Sequence, residues 1–193
     1  MNQQWTDITD AIRSSDPDRV NDVLDQLKEM DRDQRLQLFD TGFDDLTSIY
    51  AESDDGYVRQ SVVRVADQVT PGLAVVFILD YEEGSTQETR DTIRKRLDTA
   101  TGFLLKTLQD DDGRVRQSAK RALKDAYRDY SALEDSGTIA TVAAEPDALA
   151  DEYEDKRRDH LLESKTDAEF FLRPAGSRMM PIQTPIVSSS TNS

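Results

Sequence analysis

Cysteine, histidine and paired carboxylates are the side chains that most often carry chemistry, and this chain holds them in very unequal amounts. It has no cysteine and one histidine, His160, among 193 residues. Without cysteine there is no thiol nucleophile, disulfide or cysteine metal site, and one histidine cannot build a multi-histidine metal centre. His160 lies in the charged stretch 151–163, which reads as a solvated helix face. Asp110, Asp112 and Gly113 imitate part of a calcium loop, but Leu108 stands at the first-ligand position and Ala119 at the twelfth, where a bidentate Glu belongs. Helix-capping turns are the better reading of those aspartates. Glu82, Glu83 and the many paired aspartates could be drawn as acid–base pairs, yet acid this abundant makes such pairs uninformative. Arg94, Lys95 and Arg96 form a basic cluster, followed by Lys106, Arg114 and Arg116; an acidic partner and pairing with Asp91 and Asp98 account for it equally well. On this inventory no catalytic, cofactor-binding or metal-binding residue is assigned.

Composition narrows the classes further. There are 39 acidic against 24 basic residues, a net charge of -15, divided into 28 Asp, 11 Glu, 17 Arg and 7 Lys. Acid spread along the whole chain, with Asp above Glu and Arg above Lys, resembles proteins of organisms that keep molar salt in the cytoplasm. At about 1 M salt the Debye length falls to about 3 Å, which would screen the self-repulsion. A phosphate backbone would meet a repelling surface, so the composition speaks against nucleic acid as a partner. The longest apolar run, Leu73 to Leu79, is far short of the roughly 20 residues that span a bilayer. Residues 1–10 carry acid and Trp5 where a secretory signal would carry basic and then apolar residues. A cytoplasmic protein without a membrane segment is expected. A 36% hydrophobic share and a mean hydropathy of -0.69 imply a thin or repeated core.

The elements that must position these side chains are helices. Asp16-Pro17 offers an N-cap acid and an N1 proline, Thr70-Pro71 repeats the arrangement, and Ser85 with Glu88 reads as a capping box. Apolar residues recur at three and four, as in Val20, Val23, Leu24, Leu27 and in Val115, Ala119, Ala122, Leu123, Ala126. The spacing predicts helices at about 4–14, 17–30, 33–52, 56–69, 72–82, 87–109, 113–133 and 146–164, each boundary within roughly two to four residues. Ala74 to Leu79, rich in β-branched residues, is the one stretch that could be a strand.

An internal repeat organises these helices. Asp54, Asp55, Gly56, Val58, Arg59, Gln60, Ser61 and Arg64 recur identically as Asp111, Asp112, Gly113, Val115, Arg116, Gln117, Ser118 and Arg121. A weaker copy begins at Asp16-Pro17, with Val20 in the register of Val58 and Asn21 where Arg59 would be. Physically, the acidic turn closes one helix and caps the next, Gly relieves the turn, and Val begins the buried stripe. These residues resemble the HEAT family, in particular the phycobilisome-lyase-type HEAT-like repeat, whose pattern is an acidic turn followed by Val-Arg and small apolar residues. The likeness is specific at 53–66 and 110–126, modest at 14–27 and absent after about 135.

The resemblance implies an all-α fold: a short HEAT-like solenoid of stacked helical hairpins over 1–135, with a charged helical extension at 136–165. It also implies a ladder between repeats, in which Asp54 or Asp55 with Arg59, and Asp111 or Asp112 with Arg116, would be members. Iron-dependent HEAT enzymes of the deoxyhypusine-hydroxylase kind use repeated His-Glu pairs that this chain lacks. HEAT-like DNA glycosylases need a basic groove with aromatic residues, whereas here acid is everywhere. Residues 166–193 carry Pro174, Pro181, Pro185 and a terminal Ser/Thr/Asn run, and read as a disordered tail. Its apolar residues Phe170, Phe171, Leu172, Met179, Met180 and Ile182 either fold back or dock on another protein. The expected function is therefore a non-catalytic protein-protein interaction module or adaptor. The alternative is an accessory or regulatory subunit of an enzyme, or a lyase-like enzyme acting on a tetrapyrrole-protein.

Overall fold

The computed structural model describes residues 3–70, 87–133 and 135–173, apart from the side chains of 32 and 87–90. The helix expected at 72–82, the ambiguous stretch 74–79, Glu82, Glu83 and the Ser85 half of the capping box lie outside the described residues. Among the described residues every regular element is a helix: α1 (Gln3–Arg13), α2 (Pro17–Glu29), α3 (Arg32–Glu52), α4 (Gly56–Val69), α5 (Gln87–Thr107), α6 (Gly113–Ala132), α7 (Ser136–Ala150) and α8 (Lys156–Leu172).

Aspartate starts most of these helices. Asp16, Asp55, Asp112 and Asp155 each cap one even-numbered helix, accepting a backbone N–H two residues on, while Asp31 and Gln34 close a capping box on α3. Thr70 ends α4, with its N–H and Oγ1 both donating to the Ala66 carbonyl, and the helix start expected at Thr70-Pro71 lies outside the described residues. Pairs α1/α2, α3/α4, α5/α6 and α7/α8 pack side by side, and α2, α4, α6 and α8 also pack on one another in chain order. One apolar core threads all of them. Val20, Val58 and Val115, the repeat valines, are buried to 0, 6 and 0% exposure, consistent with the register that aligns them. In the odd-numbered layer Phe39 stacks on Phe43, and Phe43 and Tyr50 both meet the edge of Phe103 on α5. Trp5 lies flat over Gly42, where a Cβ would come within 2.2 Å of the indole, and donates to Asp45.

The end of the chain departs from expectation. In place of a single helix over 146–164 there are two, α7 and α8, the most closely packed pair among the described helices. Pro146 does not start a helix but sits inside α7. A mid-helix proline forfeits a hydrogen bond, and here Ile139, Val142, Ala143, Pro146 and Ala150 form a buried face that offsets the loss. The tail boundary at 166 falls inside α8, where Leu161, Ser164, Ala168 and Phe171 make a stripe at helical spacing. The helix stops at Arg173, held extended by the proline that follows.

Candidate functional site

Two sets of residues stand out, one along the edge formed by the turns and one across the surface of the even-numbered helices. At the turn edge Arg59 reaches forward from α4 to the next turn. Its Nε and Nη2 donate to the two oxygens of Asp110 at 2.8 and 3.0 Å, Nη2 also donates to Asp111 at 2.6 Å, and Nη1 donates to the Ser53 carbonyl at 3.2 Å. Tyr50 Oη donates to the same Asp110 carboxylate, whose remaining capacity accepts the Asp112 N–H. Burial opposes the charge on Asp110, but the bonds from Arg59, Tyr50 and the Asp112 backbone outweigh it and hold the carboxyl below its ordinary range. Burial, and then Asp110 itself, raise the Tyr50 phenol well above its usual value. The Asp110 carboxylate is thus saturated by protein donors and clamps Arg59 and Tyr50 to the following turn.

Neighbouring turns repeat the theme with different chemistry. Ser15 Oγ donates to Asp55 at 2.8 Å, and Gly56 lies so close to Asp112 that a Cβ there would stand 2.0 Å from its carboxylate. Gly56 is therefore needed for approach between units, and its backbone is not in the left-handed region. Arg116 is buried, donates to the carbonyls of Asp110 and Asp111 at 2.6 and 2.9 Å, and donates through Nε to His160 Nδ1 at 3.1 Å. His160 is consequently half-buried against Arg116, not a solvated helix-face residue; burial first, then Arg116 and Lys120, lower its pKa.

Among the residues singled out by sequence, the structure brings together Arg59 with Asp111, and Arg116 with the Asp111 backbone, while Asp55 and Asp112 serve as caps. Asp54 is exposed and is not among the partners of Arg59. Asp110 was missed as a clamp; its signal was present in the acidic triplet 110–112, beside only two acids at 54–55. Phe171 is buried on α8, Phe170 is half-buried edge-on to it, and Leu172 is exposed. Met179, Met180 and Ile182 lie outside the described residues. Arg94 pairs with Asp135, the N-cap of α7, and Arg96 pairs with Asp40 on α3.

The second set lies on the even-numbered helices. A cavity of about 250 Å³ opens where α2, α4 and α6 meet, lined by Leu24 and Lys28, by Gln60, Arg64, Asp67 and Gln68, and by Ser118 and Arg121. Arg121 also lines a wider groove of about 820 Å³ between α6 and α8, with Gln117, Lys120 and Lys124 on one wall and Leu162, Glu163, Thr166 and Asp167 on the other. Across that groove Lys120 pairs with Glu163, and Lys124 with Asp167 at 2.7 Å. Asp67 is largely desolvated and repelled by Asp125, so its pKa is pushed up to about 6 despite Arg121. The arrangement offers fixed hydrogen-bond donors on a continuous helical surface. Among the described residues no group of three or more His, Asp or Glu is placed to hold a metal ion, and no helix is long and apolar enough to cross a membrane. Comparison with protein-family models, curated proteins and solved structures finds no match in any of the three.

Proposed function

We propose that the chain is a non-catalytic protein-binding module built from HEAT-type helical hairpins, working in a cytoplasm of high salt. The observation that carries this reading is the unbroken surface of α2, α4, α6 and α8, along which a cavity and a groove adjoin through Arg121. The turn-edge clamps support it. Arg59 with Asp110, Arg116 with His160, and Ser15 with Asp55 fix each hairpin against the next, so the surface is rigid before any partner arrives. A preformed face loses little conformational entropy on binding. HEAT relatives usually hold their partners on the concave face of the repeats, and the resemblance at 53–66 and 110–126 is the link to this chain.

The test is capture on the immobilised full chain in about 2 M KCl, the salt level at which surface charge is screened to a few Å. Gln117→Glu with Leu162→Glu alters the even-helix groove, whereas Lys106→Glu alters the exposed side of α5. Loss of the captured protein with the first variant and retention with the second supports the reading. The reverse pattern overturns it.

A further inference from the structure

Within that surface, we infer that the cavity bounded by Lys28, Arg64 and Arg121 anchors an acidic segment of the partner protein, with the segment's backbone continuing across the groove between α6 and α8. This rests on the reading of the even-helix face as the binding surface.

The first argument is local charge. In a chain of net charge -15, three cations surround this cavity and a single carboxylate, Asp67, faces them. The second is donor capacity. Arg64 bonds Asn21 at 2.9 Å through Nη2, which leaves its Nε and Nη1 uncommitted among the described residues. Arg121 faces Asp67 electrostatically but has neither a hydrogen bond nor a salt bridge among the described residues. Lys28 pairs with Asp25 one turn away, with both side chains largely exposed; such a pair is weak and easily exchanged. Two guanidinium groups held by packed helices, one of them without a hydrogen bond or salt bridge among the described residues, are the donors best matched to carboxylates.

Size then separates ligand classes. A cavity of about 250 Å³ lies below the roughly 300–1,000 Å³ typical of small-molecule and cofactor sites. It suits one or two side chains, and the larger groove that begins at Arg121 provides room for the rest of an extended segment. Repetition is the last argument. Gln60 and Arg64 on α4 recur as Gln117 and Arg121 on α6, in each case one helical turn apart. Burial of the core explains the repeated valines; it does not explain an exposed Arg121. The duplicated pair presents the same donors twice on adjacent helices, a spacing that serves two acidic side chains of one segment. Nucleic acid, also anionic, is disfavoured because its many phosphates would face the acidic remainder of the chain.

The experiment is a fluorescence-anisotropy titration of the full chain in about 1 M KCl with a labelled decapeptide alternating Glu and Ala, its Gln–Ala counterpart, and free glutarate as competitor. The Glu peptide is expected to bind and the Gln peptide not. Arg64→Gln and Arg121→Gln should each weaken binding roughly tenfold, the loss of one charged hydrogen-bond set. Asp67→Asn should strengthen binding, and Arg13→Gln, which removes an equal charge from the exposed end of α1, should leave it unchanged. Circular dichroism of each variant separates lost binding from lost structure. Equal binding of both peptides, displacement by glutarate as effective as by peptide, or indifference to Arg64→Gln and Arg121→Gln overturns the proposal. The two readings fail separately. If the captured partner is lost on altering Gln117 and Leu162 but held by Arg64→Gln with Arg121→Gln, the acidic anchor is wrong and the face stands. If only odd-helix substitutions release it, the face itself is wrong.

Discussion

Asp67→Asn should stabilise the protein, and by an amount that depends on pH. Asp67 lies in the last turn of α4, screened from solvent, with Arg121 and Asp125 of α6 opposite it. Desolvation is the largest influence and the repulsion of Asp125 the next; together they overcome Arg121 and carry the carboxyl from 3.8 to about 6. A change of about 2 units corresponds to roughly 3 kcal/mol between the protonation states. Because the folded value exceeds the unfolded one, the folded chain holds a proton that the unfolded chain has released between about pH 4 and 6. Stability therefore falls as pH rises through that window, and the penalty is complete above about 6. Asparagine keeps the shape and removes the charge. At about pH 7.5 the variant should be more stable by roughly 2–3 kcal/mol, which raises the melting temperature of a chain this size by roughly 4–10 °C. At about pH 4 the two proteins should melt together. Circular dichroism melts of both proteins in about 2 M KCl at several pH values read this difference directly. An equal difference at every pH, or none near neutrality, would refute the reasoning.

Three further outcomes follow from the fold. Val115→Asp places a charge at a position with 0% exposure, and the cost of several kcal/mol should abolish the cooperative melt or lower its midpoint by more than about 10 °C; an unmoved midpoint would mean that the register of α6 is wrong. Arg59→Gln leaves the Asp110 carboxylate, 4% exposed, with Tyr50 but without its cation, and should cost about 3 kcal/mol by denaturant titration; a loss below about 0.5 kcal/mol would reduce the clamp to the rank of a surface ion pair. Lowering KCl from molar to about 0.1 M lengthens the Debye length to about 10 Å, and helicity should fall as the net charge of -15 becomes unscreened; equal helicity at both salts would defeat the high-salt reading.

Periodic, capped segments were legible in the sequence because their signals are local. Asp16-Pro17, the valines at 20, 58 and 115, and the boundary at Gly56 coincide with α2, α4 and α6 to within a few residues. The α7/α8 pair was obscured for three reasons. Lys156, Arg157 and Arg158 follow Asp155 where a Gly-x-Val-Arg signature would announce the repeat, Pro146 imitates a helix start, and buried Ser164 makes the stripe look polar. Deleting from 166 onward, which a tail reading would call harmless, instead removes buried Ala168 and Phe171. The clamp partners were half legible. Arg59 and Arg116 could be picked out by their repetition, but Asp110 and His160 depend on which atoms the packing brings together, and no spacing rule states that. Arg64 and Arg121 were visible as identities, yet only the meeting of α2, α4 and α6 reveals that they share a cavity.

The most direct test of the binding face avoids charge altogether: a photoreactive benzophenone side chain installed at Gln117, exposed in the even-helix groove, or at Thr99, exposed on α5, followed by irradiation with the captured partner in about 2 M KCl. Cross-linking of the partner from Gln117, with none from Thr99, is the result expected if α2, α4, α6 and α8 form the interaction surface. Cross-linking from Thr99 with Gln117 silent would contradict it.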